Sequence, residues 1–140
     1  MNGIANRPEI ATEAVCRIVV KAREFAAKED VVEAEPGSNP VDEELRQVLA
    51  DYPDDPVYDE LKSFIDDMDV DAQCELVALL WVGRGDFRPD QWGQALALAR
   101  QEHTEHTAEY LLGTPLLADY LEEGLGQFGL SCLDFEKHHL

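Results

Sequence analysis

Apolar residues recur every three or four positions along most of this chain, and no stretch alternates long enough to describe a strand. Five helical patterns follow. The first runs from Pro8 to Lys28, with Val15, Ile18, Val19, Ala22 and Ala26 on one stripe and Phe25 beside it. Arg17, Lys21, Glu24 and Lys28 fall opposite, and Pro8 suits a first helical turn, where its missing N–H costs nothing. The second starts at Pro56, capped by Asp55, and carries Val57, Leu61, Phe64, Ile65 and Met68 on its inner stripe. Asp59 and Glu60 lie in its first turn, where the helix dipole favours acids.

The third, capped by Asp69 or Asp71, runs to about Gly83. Cys74, Val77, Ala78 and Trp81 share a face, and Leu76, Leu79, Leu80 and Val82 cover most of the rest. A helix apolar nearly all round is a buried one, so residues 72–82 are expected at the centre. Gly83 and Gly85 stop it. Pro89 opens a fourth helix near Asp90 that reads through to Gly113. If it is unbroken, Trp92, Ala95, Leu96, Ala99, His103, His106 and Tyr110 lie near one line at ~100° per residue. The fifth is capped by Thr114, carries Leu117, Tyr120, Leu121, Gly124, Leu125 and Phe128 inward, and stops at Gly129. Gly124 on that stripe costs ~1 kcal/mol of helix propensity, which a close helix–helix contact would justify.

Between the first two patterns the chain loses periodicity. Residues 36–40 are Pro-Gly-Ser-Asn-Pro turn chemistry, Asp42 to Leu49 can add a short helix, and Tyr52 to Pro56 breaks the chain again. The organisation expected is one all-α domain over 1–140. It has an N-terminal helix at 8–28, a connector at 30–55 and a helical core at 56–128. Five or six mostly antiparallel helices surround the 72–82 helix.

Charge narrows the functional classes. The net charge is −19, from 30 acidic and 11 basic residues, and residues 41–75 alone hold 13 acids against 2 bases. Direct binding to a nucleic-acid backbone or an anionic membrane is opposed by long-range repulsion. A basic protein partner, a cation or mimicry of a polyanion is compatible with it, as is a plain solvated surface. Cys16, Cys74 and Cys132 are far apart and odd in number, and the first two sit in apolar helical patterns. The expectation is buried reduced thiols in a cytoplasmic protein. No apolar run approaches the ~20 residues of a membrane span, and acids and bases from residue 7 onward leave no signal-peptide layout.

Three strings are distinctive: ELVALLWVGRGDF at 75–87, TAEYLLGTPLLADYLEEGL at 107–125 and, less so, DDPVYDELKSFID at 54–66. On these, the segment from Asp55 to Phe128 resembles an uncharacterised family of bacterial, proteobacterial helical domains. The resemblance implies a compact helical fold and a bacterial source, and implies no activity.

The candidate chemistry is sparse. His103 and His106, three apart on a helix, face one side and could share a divalent metal, with Glu102 or Glu109 assisting. The spacing is not His-Glu-x-x-His, and two histidines underdetermine a site. The acids from Asp66 to Asp71 fail as a calcium loop, because the positions that need glycine and glutamate hold Ala72 and Ala78. Arg84 follows a helix C-terminus and is expected to cap carbonyls there or to pair with Asp86, Asp119 or Glu123 and lock the last helix against the central one. Alternatively it is an anion-recognising fork beside Trp81, Trp92 and Tyr110.

No phosphate loop, nucleophile elbow or cofactor motif is present in the sequence, and no cofactor is expected beyond a possible metal. The reading that fits best is a non-enzymatic cytoplasmic interaction or regulatory module. Its contact residues would be Trp81, Arg84, Asp86, Trp92 and Tyr110. The alternatives are a small metal-binding protein or enzyme using His103 and His106, and a nucleic-acid mimic that binds a basic partner.

Overall fold

The computed structural model describes residues 7–32 and 56–133, with side-chain environments for 7–26 and 56–133. Among them are six α-helices and no strand. They are α1 (Thr12–Val32), α2 (Pro56–Asp66), α3 (Val70–Arg84), α4 (Trp92–Glu102), α5 (Thr107–Leu112) and α6 (Leu117–Gln127), with a 3-10 turn at Pro89–Gln91 before α4. The all-α expectation holds. The short helix expected over 42–49 and the Asp55 cap lie outside the described residues.

The central position of α3 follows from its composition. Nine of its fifteen residues are buried, including Leu76, Leu79, Leu80, Trp81 and Val82. Asp69 caps it, its Oδ1 accepting from Ala72 N–H at 2.8 Å. Gly85 closes it in the left-handed region at φ 97°, a conformation glycine adopts without steric cost. The most extensive contact is between α3 and α6, and two glycines make it possible. A Cβ on Gly124 would lie 2.6 Å from the Leu79 carbonyl oxygen, and one on Gly83 would collide with the Tyr120 carbonyl. Pairing Leu79 with Gly124 and Gly83 with Tyr120 sets the two helices in opposite directions, backbone against backbone.

The other helices pack around this pair. α4 lies against α3, α1 against α6 and α2, and α2 against α5. One apolar cluster draws on all six, from Val15, Ile18 and Val19 through Leu61 and Ile65 to Leu121 and Leu125. Ala26, expected on the inner stripe of α1, is exposed, and Phe25 is the buried residue of that turn.

Several sequence expectations are corrected. The first helix covers Thr12–Val32 and not 8–28, so Pro8 lies ahead of it, and Gly83 lies inside α3 against α6, leaving Gly85 to end the helix. The fourth pattern is two helices, because the chain leaves α4 at His103 (φ −61°, ψ 136°) and re-enters a helix at Thr107. The cause is local: Thr104 Oγ1 accepts from His106 N–H at 3.0 Å and Thr107 Oγ1 donates to the Thr104 carbonyl at 2.9 Å. These side-chain bonds compete with the helical ladder. Thr114 does not cap the last helix; its hydroxyl donates to the Tyr110 carbonyl at 2.8 Å, and α6 starts after Leu116, a left-handed non-glycine residue at φ 62°. Finally, Cys16 and Cys132 form a disulfide, while Cys74 is free and buried. A separation of 116 residues concealed that pairing, and it removes the cysteine argument for a reducing compartment. No described helix is long and apolar enough to cross a membrane.

Candidate functional site

The break between α4 and α5 makes the site. Because the chain turns at 103–106, α5 is displaced from the line of α4 and a cleft of about 240 Å³ opens against α3. The stripe Cys74, Val77 and Trp81 of α3 forms its floor with Ala99 of α4. Glu102, His103, Thr104 and His106 line the turn side, and Thr107 and Tyr110 come from α5.

The polar contacts around this cleft are specific. The Trp81 indole N–H donates to the Tyr110 hydroxyl at 3.1 Å, fixing both rings at one edge. Phe87 packs near Trp81 with ring centroids 5.9 Å apart. Arg84 donates through Nε and Nη2 to a single Asp86 oxygen at 2.9 and 2.7 Å. Burial works against the Arg84 charge, but Asp86 and the neighbouring Tyr110 outweigh it and raise its pKa. Of the three partners expected for Arg84, Asp86 is the one it takes. Asp119 pairs instead with Arg23 on α1 at 2.9 Å.

His103 is held from below. The buried Gln73 donates its amide N–H to the Ile65 carbonyl at 2.8 Å, at the end of α2. That fixes which way the amide points, so its Oε1 faces His103 Nε2 at 2.7 Å. The ring must therefore carry a proton on Nε2, and Nδ1 is the nitrogen left for another partner. His106 is turned outward, with its nitrogens 3.8 Å from Glu105 and 3.7 Å from Glu109. The premise of a shared helical face for the two histidines thus fails at the turn. Among the described residues no three His, Cys, Asp or Glu side chains converge on a point that would hold a metal.

The structure brings Trp81, Tyr110, His103 and His106 to one cleft and places Arg84, paired with Asp86, beside Tyr110. Trp92 goes elsewhere. It is 1% exposed, its ring lies nearly perpendicular to that of Phe128 with centroids 5.5 Å apart, and its indole N–H has no partner. Three of the four acids from Asp66 to Asp71 cap or pair: Asp69 caps α3, Asp66 meets Lys62 at 2.8 Å, and Asp71 lies 3.8 Å from Arg100.

A family model described as "Protein of unknown function (DUF3775)" matches residues 58–130, from α2 to just past α6. The chain belongs to that family. No curated protein and no solved structure matches it. The DUF3775 segment contains the whole cleft and the glycine-mediated contact of α3 with α6, and α1 packs on it from outside.

Sequence reasoning missed two residues of this region. Gln73 is 8% exposed and positions His103; a lone glutamine carries no signal of its own, although it directly precedes the Cys74 stripe. Glu75 is 6% exposed and accepts the backbone N–H groups of Glu9 and Ile10 on one oxygen, each at 2.7 Å. It ties the segment before α1 to the central helix. Burial raises its pKa, and the two amides pull it back in part.

Proposed function

We propose that this DUF3775 chain is a non-enzymatic interaction module whose cleft receives one apolar or aromatic side chain from a basic partner. The observation that carries the reading is the cleft itself: an apolar floor of Val77, Trp81 and Ala99 under a rim that includes the Glu102 carboxylate. Pockets for drug-sized ligands run from ~300 to ~1,000 Å³, so this smaller volume suits a single large side chain. Nothing in it is arranged as nucleophile and base. Cys74 is driven away from thiolate by burial, and His103 spends one nitrogen on Gln73.

Charge supports a basic partner. Each of the eight bases whose side chains are described is engaged within the chain, from Arg7 on the Phe128 carbonyl to Arg100 near Asp71. The acids in excess face outward, so a lysine- or arginine-rich segment meets attraction at long range and the cleft at short range.

Two amidated pentapeptides test this, one with phenylalanine between paired lysines and one with alanine in its place. The phenylalanine peptide is expected to shift the Trp81 indole N–H resonance saturably. The alanine peptide should bind about tenfold or more weakly, as loss of one buried aromatic side chain implies. Glu102→Gln should weaken both modestly, by about threefold. Equal binding of the two peptides, or no response from Trp81, would sink the reading and leave only diffuse charge attraction.

A further inference from the structure

The cleft makes no use of the covalent link in the described chain. Cys16 near the start of α1 and Cys132 beyond α6 are bonded, with Cα atoms 5.5 Å apart, and both are buried at 0% and 1% exposure. Apart from that link, the segment from Phe128 to Leu133 that carries Cys132 is held by turn bonds to the end of α6 and by one exposed side chain. Phe128 and Leu130 N–H donate to the Leu125 carbonyl at 3.0 and 2.9 Å, Gly129 N–H donates to the Gly126 carbonyl at 3.0 Å, and Arg7 reaches the Phe128 carbonyl at 3.4 Å. Phe128 and Trp92 pack with their rings nearly perpendicular, and Leu130 rests on the core. Past Leu130, among the described residues, the hydrogen bond made is local, from Leu133 N–H to Ser131 Oγ at 2.9 Å. The Trp92 ring packs against Phe128 of this segment, and its buried indole N–H has no acceptor.

We propose that Cys16 and Cys132 are a thiol–disulfide modification site that latches residues 128–133 onto α1 and the N-terminal end of α4. Oxidation runs by exchange with a low-molecular-weight disulfide such as oxidised glutathione. The thiolate of Cys132 attacks one sulfur of that disulfide, and the other half leaves and takes up a proton. The thiolate of Cys16 then attacks the Cys132 sulfur of the mixed disulfide and releases the second half. Two protein thiols give up two electrons and two protons, and the small disulfide becomes two thiols; an excess of the small thiol reverses both steps.

Both sulfurs are covered when the segment is seated, so exchange needs the segment to lift first. Redox state and segment position are thereby coupled. The latch sits at the Trp92 end of α4 and the cleft at its Glu102 end, and the two are independent. Cys74, free and on the cleft floor, takes no part.

The test equilibrates the full chain with oxidised or with reduced glutathione. After the oxidised arm, peptide mass mapping should find Cys16 joined to Cys132 and Cys74 unmodified. After the reduced arm, the Gly129 and Leu130 amides should exchange hydrogen about tenfold faster or more, with a smaller change in α3. The melting temperature should fall by roughly 5–15 °C. Cys16→Ala/Cys132→Ala should make exchange indifferent to glutathione, while Cys74→Ala should leave the response intact. The wild-type comparison stands alone if the double variant does not fold. Absence of the Cys16–Cys132 link, or identical exchange at 129–130 in the two arms, overturns the proposal.

Discussion

At the scale of single residues, the fold depends on side chains that are absent as much as on those present. Gly83 and Gly124 let the α3 and α6 backbones touch, and what a Cβ would meet there is carbonyl, which cannot swing aside. Gly83→Ala or Gly124→Ala should therefore destabilise by about 3 kcal/mol or more, against the usual small gain for alanine within a helix. Urea unfolding reads the effect, and a change below about 1 kcal/mol would mean that the helices separate freely. The need for Gly124 was legible, because a glycine on an inner stripe asks for a close neighbour.

Glu75 was not legible in that way, since a glutamate within an apolar run looks like a residue at the helix edge. Its burial gives a signed pH prediction. Burial holds the Glu75 carboxyl above the ordinary range; the Ile10 and Glu9 amides and Arg100 lower it, and the Glu9 carboxylate raises it further. The folded chain keeps this proton at pH values where the unfolded chain has released it. Its contribution is full below the ordinary glutamate pKa and declines as pH rises through the folded value. Glu75→Gln keeps an acceptor for both amides and removes the charge. The stability of wild type relative to this variant should fall as pH rises above the ordinary glutamate pKa. A relative stability that climbs with pH would mean that the two amides outweigh burial. Glu75→Ala, which strands both amides, should cost about 1–3 kcal/mol at any pH.

At the scale of elements, the informative feature is the interruption between α4 and α5. Helical periodicity runs straight through residues 92–110, so an average over positions cannot see it. The threonines at 104 and 107 divert hydrogen bonds into their side chains, and Gln73 anchors His103 from the neighbouring helix. The first signal is in the sequence but is weak, and the second is tertiary. This is why the stripe of Cys74, Val77 and Trp81 could be placed on one face while the cleft above it could not be drawn. Gln73 links the end of α2, the start of α3 and the end of α4 through two bonds. Gln73→Ala should destabilise by about 1–3 kcal/mol and loosen the turn, read as faster amide exchange at 103–107. His103→Ala should cost less, because the Gln73 amide can still serve Ile65. If the two single changes sum to the double within about 0.3–0.5 kcal/mol, the residues act independently and the coupled anchor is wrong.

At the scale of the whole molecule, charge sets two responses of opposite sign. With 30 acids against 11 bases, and the described bases already spent on internal partners, repulsion among carboxylates opposes compaction. The internal pairs are weak compensation: Arg88 and Asp90 are each 71% exposed, and such pairs are worth ~0–1 kcal/mol. Sodium chloride shortens the screening length from about 30 Å at 0.01 M to about 3 Å at 1 M. It therefore relieves long-range repulsion among many carboxylates while costing a few short contacts little. The melting temperature should rise by about 3–10 °C across that range. Binding of the lysine peptides should weaken across the same range, since their approach depends on the field that salt removes. Scanning calorimetry and peptide titration on one salt series separate the causes. A melting temperature that falls with salt would mean that the exposed pairs stabilise more than the acids repel. A peptide affinity that ignores salt would place its whole origin in the apolar floor of the cleft. Only the opposed pair of trends is consistent with one acidic surface that strains the fold and recruits the partner.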